Sequence, residues 1–397
     1  WLTPRTRLEQ REREDRVLAD LDDLDLAWSS TRDAGDPRAI SSFPLSYPDV
    51  LDRASELDRG AAVAWEIYQA GPADPLTAFR ALTTVIYAEA NGLTPVLAGR
   101  SELLDQAAAV LDRPDTTLFA MWCGFRRQRT AAERLDAAAR AQALAAEPVP
   151  ADSPWPPDMV PYLADDIACT LLAAIDPPRA RDAAERCWRS PGAGPFEVAN
   201  YGSMLHRTGL HEQAIEVLRP LVTQGVPRQD LVLVQWGACT AAFALLALGR
   251  TDDAIAAVEP WRAEIGRRNW PNEKRRHLMV RAWALLQQGK IERAADLVAA
   301  HLPLAVLDVP VVQVLQERTE RLAGRLSDLA RLPDLIDECR PHRYLSPGSW
   351  LCLAVEQALR VDGAERATLL DEIMAERRGL YLSFGYQEDL DQLLAAD

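Results

Sequence analysis

The sequence lacks the features that mark several large classes of protein. Its six cysteines are scattered without a CxxC pair in a chain of 397 residues, so we expect reduced thiols rather than a disulfide framework. No apolar run reaches the roughly 18 residues that a membrane-spanning helix needs, and the charged stretch over residues 1–25 lacks the apolar segment of a signal peptide. These absences predict a cytoplasmic protein that makes no membrane contact.

Basic residues are fewer than acidic ones, and lysine is almost missing. The chain has 44 lysines and arginines, of which only Lys274 and Lys290 are lysines, against 59 aspartates and glutamates, and its net charge is −15. Because binding to phosphates requires a cationic face, this balance argues against nucleic acid as the main ligand.

Sequence motifs of the common catalytic sites are also missing. The chain contains no HExxH, no GxxxxGK[ST], no GxGxxG and no GxSxG. We therefore predict no catalytic residue, no bound metal and no cofactor. Two histidines, His206 and His211, flank one predicted turn and could approach each other, but we interpret them as polar surface residues. Asp165 and Asp166 lack the DDxxD spacing of a magnesium site, and we interpret them as part of a solvated helix surface.

The chain is rich in residues that favour α-helix. Alanine, leucine, glutamate and arginine dominate, apolar residues recur three or four positions apart, and sustained apolar/polar alternation is missing. Prolines and glycines cluster between such segments, most densely over residues 148–161. We predict an all-α fold with an N-terminal helical region over 1–150, helical repeats over 151–345, and capping helices with an acidic tail over 346–397.

Glycine, followed by alanine five residues later, recurs with a fixed period of 40 residues. The pairs are Gly209/Ala214, Gly249/Ala254 and Gly289/Ala294. Each pair lies between two apolar helical segments, which predicts stacked copies of one helical hairpin. The predicted A and B helices of the three copies cover 196–208 and 211–221, 231–248 and 251–261, and 276–288 and 291–301. We interpret 160–189, 310–340 and 346–378 as diverged copies of the same hairpin.

These residues resemble the tetratricopeptide repeat (TPR) family, clearly over about 196–302 and more weakly on either side. Members of that family pair a small residue late in helix A with an alanine twelve positions on in helix B, and the pairs here are Gly202/Ala214, Ala242/Ala254 and Ala282/Ala294. The period departs from the family standard of about 34 residues, and Pro220 and Pro260 interrupt helix B of the first two copies. The resemblance implies a curved superhelix of antiparallel helix pairs.

In that family, helix A side chains line the concave surface and bind a peptide or a helix of a partner protein. The resemblance therefore implies a non-catalytic adaptor or regulatory protein that binds an apolar, amphipathic or acidic segment. An alternative interpretation is that the aromatic residues of this surface are core residues. The residues that map to it, called here the A-helix surface, are Phe196, Asn200, Ser203, Arg207, Trp236, Thr240, Phe243, Arg276, Met279 and Trp283.

Two further segments are candidates for interactions. The acidic residues 381–394 could fold back onto the A-helix surface as a self-inhibitory plug, with their carboxylates near Arg207 or Arg276. A basic stretch between the second and third repeats could dock an acidic or phosphorylated segment, although we favour a solvated loop and helix surface. This basic patch consists of Arg267, Arg268, Lys274, Arg275 and Arg281, beside Arg276.

Two other functions are compatible with the sequence. One is the sensor module of a bacterial-type regulatory system that binds a small peptide or metabolite. The other is an all-helical enzyme, or an accessory subunit of a biosynthetic complex, with a pocket between the N-terminal helices and the repeats. Aromatic residues and one cysteine could line that pocket: Trp65, Tyr68, Tyr87, Trp122, Cys123 and Trp155.

Overall fold

The computed structural model describes residues 7–53, 56–90, 101–123, 130–150, 153, 155–225, 230–267, 271–300, 311–325, 331–339 and 347–396. Within these residues every regular element is a helix, which confirms the predicted all-α class. In chain order the α-helices are α1 (Arg7–Ala19), α2 (Leu21–Ala34), α3 (Pro37–Ser41), α4 (Ser46–Arg53), α5 (Leu57–Gln69), α6 (Pro75–Ala90), α7 (Ser101–Leu111), α8 (Pro114–Cys123), α9 (Ala131–Ala145), α10 (Met159–Leu172), α11 (Pro177–Arg189), α12 (Pro195–Arg207), α13 (His211–Thr223), α14 (Leu231–Ala247), α15 (Thr251–Val258), α16 (Arg262–Arg267), α17 (Pro271–Gln287), α18 (Ile291–Ala299), α19 (Val311–Leu322), α20 (Arg331–Cys339), α21 (Pro347–Ala358), α22 (Gly363–Arg377) and α23 (Tyr386–Ala396).

The three predicted helix pairs are present as α12 with α13, α14 with α15, and α17 with α18. Most predicted ends agree with the observed ones within about two residues, but α17 begins at Pro271, five residues earlier than expected. A proline fits the first turn of a helix because its missing N–H has no intrahelical partner there. The first turn of α17 therefore belongs to the helix rather than to the preceding loop.

The turn between the two helices of each pair has the same geometry in all three copies. Gly209, Gly249 and Gly289 have φ values of 79°, 71° and 69°. The residue after each glycine donates its N–H to a carbonyl five positions back, at 2.9 Å in every copy. This closure is typical of a helix that ends in a left-handed residue, a conformation that glycine adopts without steric cost. The predicted role of the recurring glycine is confirmed.

Small side chains lie where the helices of each pair approach. Ala214, Ala242, Ala254, Ala282 and Ala294 are fully buried. Each A helix packs against its own B helix and against the next A helix, so α12, α14 and α17 form one row of packed helices. The residues that the sequence assigns to the A-helix surface lie on these three helices.

The two prolines inside the predicted B helices have different effects. Helix α13 continues past Pro220 to Thr223, so the predicted interruption does not end that helix. Helix α15 ends at Val258, and a 3-10 turn over Glu259–Trp261 contains Pro260 and leads into α16. The second B helix is therefore divided where the missing proline N–H removes a helical hydrogen bond.

Buried apolar side chains form groups that succeed one another along the chain. One group is built from α2 to α6, a second from α6 to α10, a third from α8 to α16, and a fourth from α14 to α23. Leu118 and Ala141, which precede the proline-rich break, share the third group with Val160 and Ala214. The divisions that the sequence predicts at residues 150 and 345 stay predictions.

The start of α1 is anchored to the middle of the chain. The backbone N–H of Arg7 donates to both carboxylate oxygens of Asp158, at 3.0 and 3.1 Å. Its guanidinium forms a buried ion pair with Glu197 on α12, donates to Ser190 Oγ at 2.8 Å, and lies 3.4 Å from the centroid of the Tyr162 ring. One residue thus connects α1 to α10, α12 and the turn between α11 and α12.

Candidate functional site

The predicted residues of the A-helix surface come together in space. With 3.6 residues per turn, the positions chosen on α12, on α14 and on α17 each fall on one side of their helix. The ring centroids of Phe196 and Trp236 are 6.0 Å apart, and those of Phe243 and Trp283 are 6.2 Å apart. The guanidinium carbon of Arg276 lies 5.4 Å from the centroid of Trp236. Side chains from the three helices therefore form one continuous surface.

Exposure divides this surface into two parts. Three of the ten predicted residues, Thr240, Met279 and Trp283, are buried, and they fit the alternative interpretation that they belong to the core. Phe243 is half-buried and packs against the core formed by α14 to α23. The other six are half-exposed or exposed and are called here the open part: Phe196, Asn200, Ser203, Arg207, Trp236 and Arg276.

The buried part is covered by residues 380–386, called here the C-terminal segment. The ring of Phe384 lies 5.3 Å from Trp283 and 6.1 Å from Phe243, both in edge-on geometry. The N–H of Tyr381 donates to the carbonyl oxygen of Arg207 at 2.7 Å. The chain end therefore folds back onto the A-helix surface, as the plug hypothesis expects.

The C-terminal segment is nevertheless part of the core rather than a displaceable plug. Six apolar or aromatic side chains of this segment and of α23 are at most 8% exposed; they are Leu380, Leu382, Phe384, Tyr386, Leu390 and Leu393. Burial of one such side chain stabilises a fold by about 1.5–3 kcal/mol, so detaching the segment would expose several core side chains to water.

The expected contact between the tail carboxylates and Arg207 or Arg276 is wrong. Asp389 pairs with Arg318 and Arg321 on α19 instead, and Arg276 pairs with Glu273 on its own helix, at 3.0 Å. The acidic character of the tail thus serves the contact between α23 and α19.

Two histidines lie beneath the C-terminal segment. The Nδ1 atoms of His206 and His211 are 3.2 Å apart, and the ring of Tyr381 stands edge-on to His211 with the centroids 4.4 Å apart. Both histidines are buried, so their interpretation as surface residues is wrong. Burial first, then the nearby His211 and Arg207, lower the pKa of His206 to about 3, and burial lowers that of His211. Both rings are neutral at pH 7.

A buried polar network adjoins the open part. Asp166 on α10 accepts hydrogen bonds from Trp122 Nε1 at 2.6 Å and from Asn200 Nδ2 at 3.0 Å. Burial raises the pKa of Asp166 to about 6. The interpretation of Asp166 as solvated is wrong, whereas Asp165 pairs with Arg186 at the surface. The network fixes the orientation of Asn200, which contributes to the open part.

Arg207 is exposed to solvent, yet many protein atoms surround it. Desolvation by those atoms, and secondarily the charge of Arg276, lower the pKa of its guanidinium. Solvent nevertheless reaches the side chain, so this residue is accessible to a ligand. The open part therefore combines two aromatic rings with two guanidinium groups.

The basic patch does not form one surface in the described residues. Arg267 pairs with Glu264 within α16, and Arg268 lies outside the residues that the structure describes. On α17, Lys274 and Arg281 are seven residues apart and share a side, whereas Arg276 lies on the opposite side. Arg275 is half-buried between them. The patch is spread around the helix, and only Arg276 belongs to the A-helix surface.

Of the residues that could line an enzyme pocket, Cys123 and Trp155 are buried, and Trp65, Tyr68 and Trp122 are half-buried. Trp65 and Tyr68 stack on each other with centroids 5.3 Å apart, and Trp155 is buried and stacks on Phe119 at 3.9 Å. Cys123 is buried, and the side chain of Tyr87 lies outside the described residues. Among the side chains described, no group of three or more His, Cys, Asp or Glu residues is placed to hold a metal ion.

Sequence reasoning did not anticipate two neighbours of the open part: Glu273 as the partner of Arg276, and the buried state of Asp166. Glu273 precedes Arg276 by three positions, a spacing that places the two on one side of a helix and could have indicated the pair. Burial of Asp166 carried no such local signal because its partners Trp122 and Asn200 are distant in sequence.

Within the part of the chain that the structure describes, no helix combines the length and apolar content needed to cross a bilayer. No protein-family model matches the chain, and a search of curated proteins finds no match either.

Proposed function

We propose that the chain is a TPR-like helical-repeat protein and that the open part of its A-helix surface binds a peptide or a helix of a partner protein. The support for a TPR-like array is the repeated helix pair with identical glycine turns and the row of packed A helices. In this proposal the row curves and the open part lies on its concave side. The role is that of an adaptor or regulatory module rather than an enzyme.

The observation that carries the proposal is the pair of half-exposed aromatic rings, Phe196 and Trp236, held side by side at 6.0 Å. Aromatic side chains at recognition sites supply a large apolar contact area with few rotatable bonds. Arg276 stacks on Trp236 and fixes its position. When a partner residue packs on these rings, the rings themselves lose little entropy because they are already ordered.

The buried part of the A-helix surface, which the C-terminal segment covers, shows how this surface accommodates an extended segment. The C-terminal segment places Phe384 against Phe243 and Trp283, and its backbone donates to Arg207. Aromatic packing together with main-chain hydrogen bonding is a recurrent mode of peptide recognition. We propose the same mode for the open part, next to this segment.

The test is a selection of peptides from a random library displayed on phage, with the intact protein as bait. Selected peptides are then synthesised and their affinity is measured for the wild type, Trp236→Ala and Trp188→Ala. Trp188 is the matched control, because it is half-buried and stacked on Tyr201 but lies on α11, outside the A-helix surface.

We expect Trp236→Ala to weaken binding by roughly tenfold or more, the loss of about 1.4 kcal/mol or more, while Trp188→Ala binds like the wild type. Far-ultraviolet circular dichroism establishes that each variant is folded. Failure to select any peptide, or equal affinity of both variants, would overturn the proposal.

A further inference from the structure

The guanidinium of Arg207 stands out among the arginines around the open part. Arg7 pairs with Glu197, Arg186 with Asp165, and Arg276 with Glu273. Within the described residues the Arg207 side chain has no hydrogen-bond or ion-pair partner, although its backbone carbonyl accepts from Tyr381. Arg207 is exposed, so its charge is available to a ligand.

The surroundings of Arg207 disfavour its positive charge. Neighbouring protein atoms remove part of the hydration of the guanidinium, and a second positive charge, that of Arg276, lies close enough to lower its pKa. A partly desolvated cation beside a like charge gains more from an anion than a fully solvated surface arginine does. This position is therefore better suited to a negative group than to a neutral one.

The charge balance favours one negative charge over two. Arg207 and Arg276 together carry two positive charges, and the buried carboxylate of Glu273 at 3.0 Å from Arg276 offsets one of them. A single carboxylate neutralises the remainder, whereas a phosphate dianion would leave an uncompensated negative charge in a protein whose net charge is already −15.

The protein itself does not supply this carboxylate within the described residues. Asp389 on α23 pairs with Arg318 and Arg321. Asp166 is engaged by Trp122 and Asn200. The negative group has to come from the bound partner.

We propose that Arg207 is the anion-binding residue of the open part and takes the side-chain carboxylate of an aspartate or glutamate in the bound peptide. The same peptide places an apolar residue on Phe196 and Trp236. This inference rests on the proposed function, since it assigns the chemistry of the segment that the open part binds. It defines the partner as an acidic segment with an adjacent apolar residue.

The experiment repeats the peptide selection with wild-type, Arg207→Gln and Arg219→Gln protein. Arg219 is the matched control: it is an exposed arginine on α13, outside the A-helix surface, and its substitution changes the net charge equally. One acidic peptide from the wild-type selection is synthesised with an amidated C-terminus, so that its side-chain carboxylate is the anion tested. A second version carries glutamine or asparagine in place of the acid.

We expect aspartate or glutamate at one position of the peptides that the wild type and Arg219→Gln select, and loss of this preference with Arg207→Gln. In direct binding, Arg207→Gln and the neutral peptide each weaken the complex by roughly tenfold, and the two changes together cost little more than either alone because they remove the same contact.

Different failures separate this inference from the proposed function. Two outcomes would overturn the role of Arg207 and leave peptide binding intact. In the first, the selected peptides bind through Trp236 but show no preference for an acidic residue. In the second, replacing the acid by its neutral amide weakens binding to Arg207→Gln as much as binding to the wild type. The absence of any selected peptide would overturn both.

Discussion

At the scale of a single residue, Gly202 allows α12 and α13 to pack closely. A methyl group added at this position would overlap the side chain of Leu218 on α13, which is itself fully buried. Leu218 cannot move aside without disturbing the surrounding core, since protein interiors are packed at crystal-like density. The repeat pattern requires a small residue late in helix A, and in this copy the reason is steric.

We predict that Gly202→Ala lowers the free energy of unfolding by about 1–3 kcal/mol, the usual cost of overpacking a core. The matched control is Gly266→Ala in α16, where an added methyl group meets no atom within 4 Å. That substitution is expected to be neutral or to stabilise by up to about 1 kcal/mol, because alanine has the better helix propensity. Urea denaturation followed by circular dichroism measures both; equal effects would contradict the steric explanation.

The buried histidine pair makes stability dependent on pH. The pKa of His206 falls from 6.5 to about 3 in the folded state, chiefly through burial. Between these two values the unfolded chain binds a proton that the folded chain does not bind, so the free energy of unfolding decreases as the pH falls below 6.5. Above pH 6.5 the ring is neutral in both states, so His206 no longer makes the free energy of unfolding depend on pH.

We predict that wild-type protein loses about 1.4 kcal/mol of stability per pH unit through His206 below pH 6.5. His206→Gln removes this contribution, so the stability difference between wild type and variant shifts toward the variant by about 2 kcal/mol between pH 6.5 and 5. Ser383→Ala is the control, because Ser383 lies 3.4 Å from His206 but does not titrate. Parallel pH profiles of wild type and His206→Gln would contradict the prediction.

At the scale of an element, the C-terminal segment closes the core of the last repeats. It joins α22 to α23 and contacts residues on α12, α14, α17 and α19. Tyr386 donates its hydroxyl to the carbonyl oxygen of Val314 at 3.1 Å. A segment that touches four helices in this way stabilises their packing without being helical itself over residues 380–385.

We predict that Leu382→Ala lowers the free energy of unfolding by about 2–5 kcal/mol, since the side chain is fully buried and its removal leaves a cavity. Leu394→Ala is the control at an exposed position of α23, where the side chain is 39% exposed, and it should change stability by less than about 0.5 kcal/mol. Chemical denaturation measures both. An equally small effect at Leu382 would indicate that the segment is a loosely held plug after all.

At the scale of the whole molecule, Arg7 joins the start of the chain to its middle. Its ion pair with Glu197 is buried on both sides, and Glu197 also accepts from the backbone N–H of Gly194 at 2.7 Å, at the start of α12. A buried carboxylate that loses its cation is strongly destabilising, because its desolvation is no longer offset. The pair therefore matters more than the exposed ion pairs nearby.

We predict that Arg7→Ala destabilises the protein by about 3–5 kcal/mol and increases amide hydrogen exchange in α1 and at the start of α12. The control is Arg189→Ala, which removes a largely exposed ion pair with Glu185 and should cost less than about 1 kcal/mol. The double variant Arg7→Met/Glu197→Gln should recover part of the loss. Unchanged exchange in α1 after Arg7→Ala would contradict this account.

The helices and their turns could be predicted because their causes are local. Glycine at 209, 249 and 289 ends an A helix through its own backbone conformation, and apolar residues three or four positions apart define which side of a helix is buried. The same periodicity was sufficient to bring Phe196, Trp236 and Arg276 onto one surface. Neither inference required knowledge of a distant part of the chain.

The state of individual side chains could not be predicted because it depends on partners far away in sequence. Asp165 and Asp166 are neighbours, yet one is paired at the surface and the other is buried against Trp122, 44 positions earlier. Phe243 and Trp283 hold equivalent places in the repeat pattern and lie under Phe384, whereas Trp236, on the same side of α14 as Phe243, is half-exposed. A residue type and its spacing carry no information on which remote segment covers it.

The sequence by itself determined the all-helical class, the positions of the repeated helix pairs and the face that each A helix presents, since backbone propensity and side-chain period act over a few residues. Only the tertiary structure decided which part of that face stays open, because residues 380–386 return from the far end of the chain to cover the rest. It also decided that Arg207 keeps an accessible charge while Arg7 and Arg276 are paired. Long-range packing and the desolvation that comes with it therefore define the candidate site within the surface that local periodicity had outlined.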